Sequence, residues 1–208
     1  MSARLKTSPE RPANGHYSLR VEFLTDPAQL QPLEMRWEQL NCRLSDHDAP
    51  FFQSYAWIRH VARVRARQAP DRYRQLVATV TRSDKLIGIW PLALRRDAGI
   101  WTACSLDDPY GQFAGILFED ASDIMQGVGA ILDELRSRAD CLEIAAVTVG
   151  SSLHTALLAH GAKISASQQA VLIDLRPFPN FEEFTKSLNS KTRKNLRNLG
   201  NRLRRAGQ

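Results

Sequence analysis

The sequence predicts an α+β fold, close to α/β in character: a mixed β-sheet flanked by helices and followed by a basic, amphipathic C-terminal helix. Three observations predict it. Two β-rich runs, Tyr73–Thr81 and Leu86–Leu94, are separated by Arg82-Ser-Asp-Lys85, the pattern of an antiparallel hairpin. Helical and extended runs alternate elsewhere, ending in a strand, a helix and a strand. An apolar content of 43% over 208 residues is enough for one sizeable core.

Taken in order, each element has a local cause. Residues 1–16, with Pro9, Pro12 and Gly15 among small polar residues, read as a disordered arm, and order begins near Tyr17. Leu19, Val21 and Phe23 alternate with Arg20 and Glu22 as in a half-buried strand. Asp26-Pro27 then supplies an N-cap and a proline at the first helical position, and Leu30, Leu33, Trp37, Leu40 and Leu44 follow at helical spacing. After a turn from Asp46 to Pro50, Ser54 caps a helix with Trp57, Ile58, Val61 and Val64 on one face. Its outer face holds Arg59, Arg63, Arg65 and Arg67, a solvated face balanced by acidic residues elsewhere. In the hairpin, Pro91 marks a bulge or an edge position.

Ile100–Leu106 is a third extended run, closed by the turn cluster Asp107-Asp-Pro-Tyr-Gly111. Ala121–Arg138 has helical periodicity through Ile124, Val128, Ile131, Leu132 and Leu135. Leu142–Val149 reads as an apolar strand buried on both faces. A helix from Ser152, ended by Gly161, and a strand at Val171–Leu175 complete the pattern.

Charge is distributed unevenly. From Lys186 onward there are eight cations and no carboxylate, so the whole net charge of +6 belongs to the tail. Leu196, Leu199 and Leu203 share one narrow face of that helix, with the cations spread opposite. No run of about 18 uncharged apolar residues exists, and the first sixteen lack the apolar middle of a signal peptide, which predicts a cytoplasmic protein with no membrane span. Three widely spaced cysteines, Cys42, Cys104 and Cys141, fit buried thiols rather than a disulfide framework, and no spacing of His and Cys fits a metal site.

Two places could carry chemistry. The turn holding Asp107, Asp108 and Tyr110 can present a base and a phenol to a cleft, or be an ordinary turn. Gln126-Gly-Val-Gly-Ala130 falls inside a helical pattern, so its glycines read as close-packing residues rather than a phosphate loop. The basic tail can meet nucleic acid, an anionic surface, a phosphorylated cofactor or solvent, and its leucine face favours docking on protein.

The series Trp37-Glu-Gln-Leu40, Pro50-Phe-Phe-Gln-Ser-Tyr-Ala-Trp57, Leu86-Ile-Gly-Ile-Trp-Pro-Leu92, Tyr110-Gly111 and Ser190-Lys-Thr-Arg-Lys-Asn-Leu-Arg197 resembles the N-terminal half of bacterial GNAT-superfamily acyltransferases. The nearest group is that of CelD-like proteins, named for cellulose biosynthesis and related to Fem-type aminoacyltransferases. The resemblance implies a GNAT-like domain over 17–176 and the truncated start of a second half over 177–208. It also implies an acyl-CoA-dependent N-acyltransferase (acetyltransferase) family, with acetyl-CoA or another acyl-CoA as cofactor, an amine as acceptor and no metal. The family's glycine-rich pyrophosphate loop is expected beyond Gln208, since Gln126–Ile131 departs from it at Ile131, and the 208-residue chain is expected to be inactive alone. On this reading the catalytic candidates are Asp108 and Tyr110, and the cofactor-binding candidates are Lys191, Arg193, Lys194 and Arg197. The alternative is a nucleic-acid-binding or protein-docking module acting through the Arg-rich helix. That helix has no aromatic residue to stack on bases, which argues against nucleic acid.

Overall fold

A computed structural model of the protein describes residues 19–43, 50–111, 114–169 and 176–205. The expectations for the N-terminal arm, for most of the turn from Asp46, for the strand at Val171–Leu175 and for a helix stop at Gly207 lie outside the described residues. The chain divides into two compact units, Met1–Lys163 and Ile164–Gln208.

The first unit is built on a six-stranded sheet: β1 (Arg20–Leu24), β2 (Tyr73–Arg82), β3 (Lys85–Asp97), β4 (Ile100–Ser105), β5 (Leu117–Phe118) and β6 (Cys141–Glu143). The order is β1-β2-β3-β4-β6, with β5 paired to β3. All pairs are antiparallel except β4 and β6, which run parallel. Along the β2–β3 hairpin the left-handed residues Ser83 and Asp84 form the tip, and a bulge falls between Val80 and Thr81.

Pro91 sits at neither a bulge nor an edge strand. It lies mid-strand in β3, opposite Val77 of β2, where the other edge of β3 passes from β5 (at Gly88 and Ile89) to β4 (from Leu92 onward). The Leu106 N–H donates to the Pro91 carbonyl at 3.0 Å, but proline has no N–H to return. The ladder therefore stops there, β4 ends at Ser105, and the chain is released into the turn at Asp107.

Helices cover both faces. A 3-10 turn over Pro27–Leu33 opens with a complete capping box, Asp26 to Gln29, and the break at Pro32 gives way to α1 (Glu34–Arg43). α2 (Pro50–Gln53) leads to Ser54, which caps α3 (Tyr55–Gln68) by accepting from Trp57 N at 3.3 Å. α1 and α3 bury Trp37, Leu40, Ile58 and Val61 against Val77, Ile89, Ala93 and Leu106. On the opposite face, α4 (Ile124–Leu135) and α5 (Ser152–Ala159) cover Leu76, Ala78, Val80, Trp90 and Leu92. Strand alternation divides β2 and β3 between these two cores, which is why both strands read as continuous apolar runs. α5 ends in a Schellman turn at Gly161 (φ +87°), with Ala162 N donating to Leu157 O and Gly161 N to Leu158 O.

One strand is much shorter than its sequence predicts. Leu142–Val149 yields only β6, with Cys141 and Glu143 exposed and Leu142 half-buried. β6 pairs along β4 alone, and β4 has run out at Ser105; Ala146 then adopts a left-handed φ of 56°. Strand length is set here by the partner, not by apolar content.

The second unit contains α6 (Phe181–Ser187) and α7 (Ser190–Arg205), capped by Asn180 and Asn189 through Glu183 N and Thr192 N, each 2.9 Å away. The basic amphipathic helix expected from the sequence is α7. Neither α6 nor α7 has a buried residue. Among the described residues no helix is long and apolar enough to cross a membrane.

Candidate functional site

The carboxyl ends of the parallel pair β4 and β6 point the same way, and ends of parallel strands are where open sheets present loops to ligands. At this end the chain turns through Asp107–Gly111. The turn is closed by Tyr110 N and Gly111 N, which donate to Asp107 O at 2.6 and 2.9 Å; the Asp108–Pro109 peptide is cis.

Adjacent carboxylates in this turn have opposite surroundings. Asp107 is 4% exposed, and its Oδ2 accepts from Trp57 Nε1 at 3.2 Å. Burial pushes its carboxyl above the usual range, against the Trp57 hydrogen bond and the nearby Arg65 charge. A Cβ at residue 111 would collide with that carboxylate, so glycine is required where the turn closes on Asp107. Asp108 instead faces Arg95, whose Nη1 lies 3.3 Å from its Oδ2. Arg95 also donates to Asp97 at 2.7 Å and Glu143 at 2.9 Å. Burial works against the Arg95 charge, but the hydrogen bonds to Glu143 and Asp97 outweigh it and hold the guanidinium's pKa above its ordinary value.

The other wall is aromatic. Trp57 is flanked by Phe51 and Phe52, with ring centroids 5.3 and 5.6 Å away. Trp37 Nε1 donates to Gln53 O at 2.8 Å, and Tyr55 N donates to Glu38 Oε1 at 2.8 Å, tying α1 to α2 and α3. Tyr110 is 58% exposed, with the Arg65 guanidinium 5.9 Å from its ring. Arg65 was expected on a solvated face. It is only 8% exposed and lies 4.2 Å over the Tyr73 ring, because α3 ends against the first residues of β2. Cys104, between Arg95 and Arg65, is buried, and burial pushes its thiol up to about 11, so it stays protonated near neutrality.

Asp108 and Tyr110 thus share one turn, with Asp107 and Arg65 as neighbours that the sequence reading did not select. Trp57 at a helix start and a glycine closing the turn were the available signals for Asp107. Lys191, Arg193, Lys194 and Arg197 lie on the first turns of α7 in the second unit, where Lys191 and Lys194, Lys194 and Arg197, and Arg193 and Arg197 are i,i+3 or i,i+4 neighbours. None of the four has a carboxylate partner among the described residues. The glycines of α4 are close-packing positions, as expected: a Cβ on Gly127 would strike Phe118, and one on Gly129 would approach His160 Cε1 to 2.7 Å. Their open sides are filled, so they offer no cradle to a pyrophosphate.

No family model matches the chain, and no curated protein matches it. Among solved structures it is similar to a ribosomal-protein-alanine N-acetyltransferase from Brucella melitensis biovar Abortus 2308, with a TM-score of 0.44 and 11% identity over 76% of this chain and 100% of that one. It is also similar to an aminoglycoside acetyltransferase, meta-AAC0020, from an uncultured soil metagenomic sample, solved with sisomicin, with a TM-score of 0.38 and 12% identity over 75% of this chain and 94% of that one.

Proposed function

We propose that the protein belongs to the GNAT superfamily of acyl-CoA-dependent N-acyltransferases, in its CelD-like bacterial group, and acts in the cytoplasm on an amine acceptor. One observation carries this reading. Segments of the motif series that are far apart in sequence form a continuous hydrogen-bonded wall: Trp37 to Gln53, Tyr55 to Glu38, and Trp57 to Asp107, whose carbonyl takes the amides of Tyr110 and Gly111. On this reading residues 17–176 form the GNAT-like domain and 177–208 open a second half.

An acyl-CoA supplies an activated acyl group when bound. Within this chain, the four α7 cations Lys191, Arg193, Lys194 and Arg197 fit its phosphates by charge, whereas the α4 glycines do not fit them. At the turn, Asp107 has the raised carboxyl suited to holding a proton taken from an amine. Asp108, fixed by Arg95, and the exposed Tyr110 hydroxyl position and hydrogen-bond an acceptor at the same sheet end.

Calorimetry with acetyl-CoA tests the reading. Heat of binding that weakens with salt, and at least tenfold in a variant with Lys191, Arg193, Lys194 and Arg197 changed to Ala, is expected. Absence of binding at low salt, or binding indifferent to those substitutions, removes the cofactor assignment.

A further inference from the structure

A cavity of about 450 Å³ opens beside the first residues of β2, where β1 has ended at Leu24 and, among the described residues, no strand covers that edge. Its walls are largely apolar, with Ala62, Leu76, Ala93, Leu94 and Leu106 among them, and among the described residues its charged lining is Arg65, Arg74 and Arg138, with no carboxylate. Arg74 and Arg138 lie against aromatic rings, 4.6 Å from Trp101 and 4.9 Å from Phe23. Arg65 differs from both. It is 8% exposed, and its Nε and Nη1 are buried with no hydrogen-bond partner among the described residues. Asp107 is near enough to feel its charge but gives its carboxylate to Trp57 instead. On the same face of β2, two residues along from Tyr73, Gln75 anchors its Nε2 on Leu24 O at 3.1 Å and leaves Oε1 buried and unpaired.

A buried donor without an acceptor is costly, most of all when it is charged, and arginine cannot shed its proton to escape that cost. An anion would supply the acceptors that a guanidinium held over Tyr73, at the wall of an apolar cavity, lacks. We propose that this cavity binds a small organic anion, with an anionic head on Arg65 and an apolar body against the β2–β3 surface. A cavity of this size suits a ligand with one ring or a short chain. The site is independent of the acyltransferase reading, since it uses neither α7 nor acyl-CoA.

Calorimetry on the full chain with three matched probes, 3-phenylpropionate, 3-phenylpropionamide and phenyl phosphate, tests the proposal. Binding of at least one anion, at least tenfold tighter than the neutral amide, is expected. The order of the two anions tells whether the head is a carboxylate or a phosphate. Arg65→Met should remove the preference for the anion. Ala66→Trp, which fills the cavity from an exposed position on α3 and leaves Arg65 in place, should weaken the anion at least tenfold and keeps the test open if Arg65→Met does not fold. Equal affinity for amide and anions, no binding of either anion at millimolar concentration, or anion binding unchanged in Ala66→Trp overturns the proposal.

Discussion

Two arginines on one face of the sheet illustrate two uses of a partly dehydrated charge. Arg95 and Tyr73 are paired across the β2–β3 ladder, and Arg65 rests on that same Tyr73 ring, so the two guanidinium groups are near neighbours. Arg95 is ringed by Asp97, Asp108 and Glu143 and is fully engaged. Arg65 is more deeply buried and has rings in place of carboxylates. A satisfied ion cluster joins β3, β4 and β6 into one end of the sheet. An unsatisfied cation contributes little to folding and is better explained by what it can bind.

The largest expected effect comes from disturbing the turn between them. Gly111→Ala drives the Asp107 carboxylate from its place and breaks its bond to Trp57, and should cost about 2–3 kcal/mol in urea unfolding. Next is Arg95→Met, which takes this cation from Asp108 and Glu143, while Asp97 keeps Arg72. Because those partners are partly solvated the loss should be about 1–2 kcal/mol, shrinking as salt is added. Arg65→Met should change stability by less than about 1 kcal/mol, since the lost stacking on Tyr73 is offset by removal of unpaired buried donors. A loss at Arg65 as large as that at Arg95 would break the comparison.

Asp107→Asn sharpens it through pH. The folded-state carboxyl of Asp107 is raised, so the native state binds this proton more tightly than the unfolded chain does. The associated stability is fully present below the ordinary carboxylate value of about 4 and is lost as pH rises through the raised value. Wild type should therefore gain on Asp107→Asn as pH is lowered from 7, and parallel unfolding curves across that range would contradict the assignment. The smallest effect is chemical. Iodoacetamide at pH 8 should modify exposed Cys42 and Cys141 and spare Cys104 in the native protein, as read by mass spectrometry, with all three reacting in denaturant.

Much of the fold was legible because its determinants are local. Asp26-Pro27 and Ser54 are caps whose partners lie within three residues, and the β2–β3 hairpin is announced by its own alternation and tip. α6 was legible and overlooked: Asn180 followed by Glu183, with Phe178 and Phe184 5.4 Å apart, is a helix start written in the sequence. β6 was not legible, because its length depends on where β4 ends. The site divides in the same way. A turn bearing Asp108 and Tyr110 can be read from neighbouring residues, but the contrast between Asp107 and Asp108 is made by Trp57 and Arg95, which are 50 and 13 residues away. Arg65 was misread although its position was legible: Arg59, Arg63 and Arg67 share one face at i,i+4 spacing, whereas Arg65 falls on the arc of Ile58, Val61 and Ala62, the buried face of α3.

Pro91 carries a consequence for folding fidelity. A slip of β4 by one residue along β3 would turn its apolar side chains to the wrong core, so hydrophobic patterning forbids it. A slip by two residues would keep every side chain on its proper face, and patterning offers no defence. In the direction that carries β4 toward Trp90, such a slip would place Pro91 within the paired stretch and demand a donor that it does not have. The choice between two alignments that the cores cannot tell apart thus rests on one absent hydrogen, and with it the position from which Asp107 and Asp108 are launched.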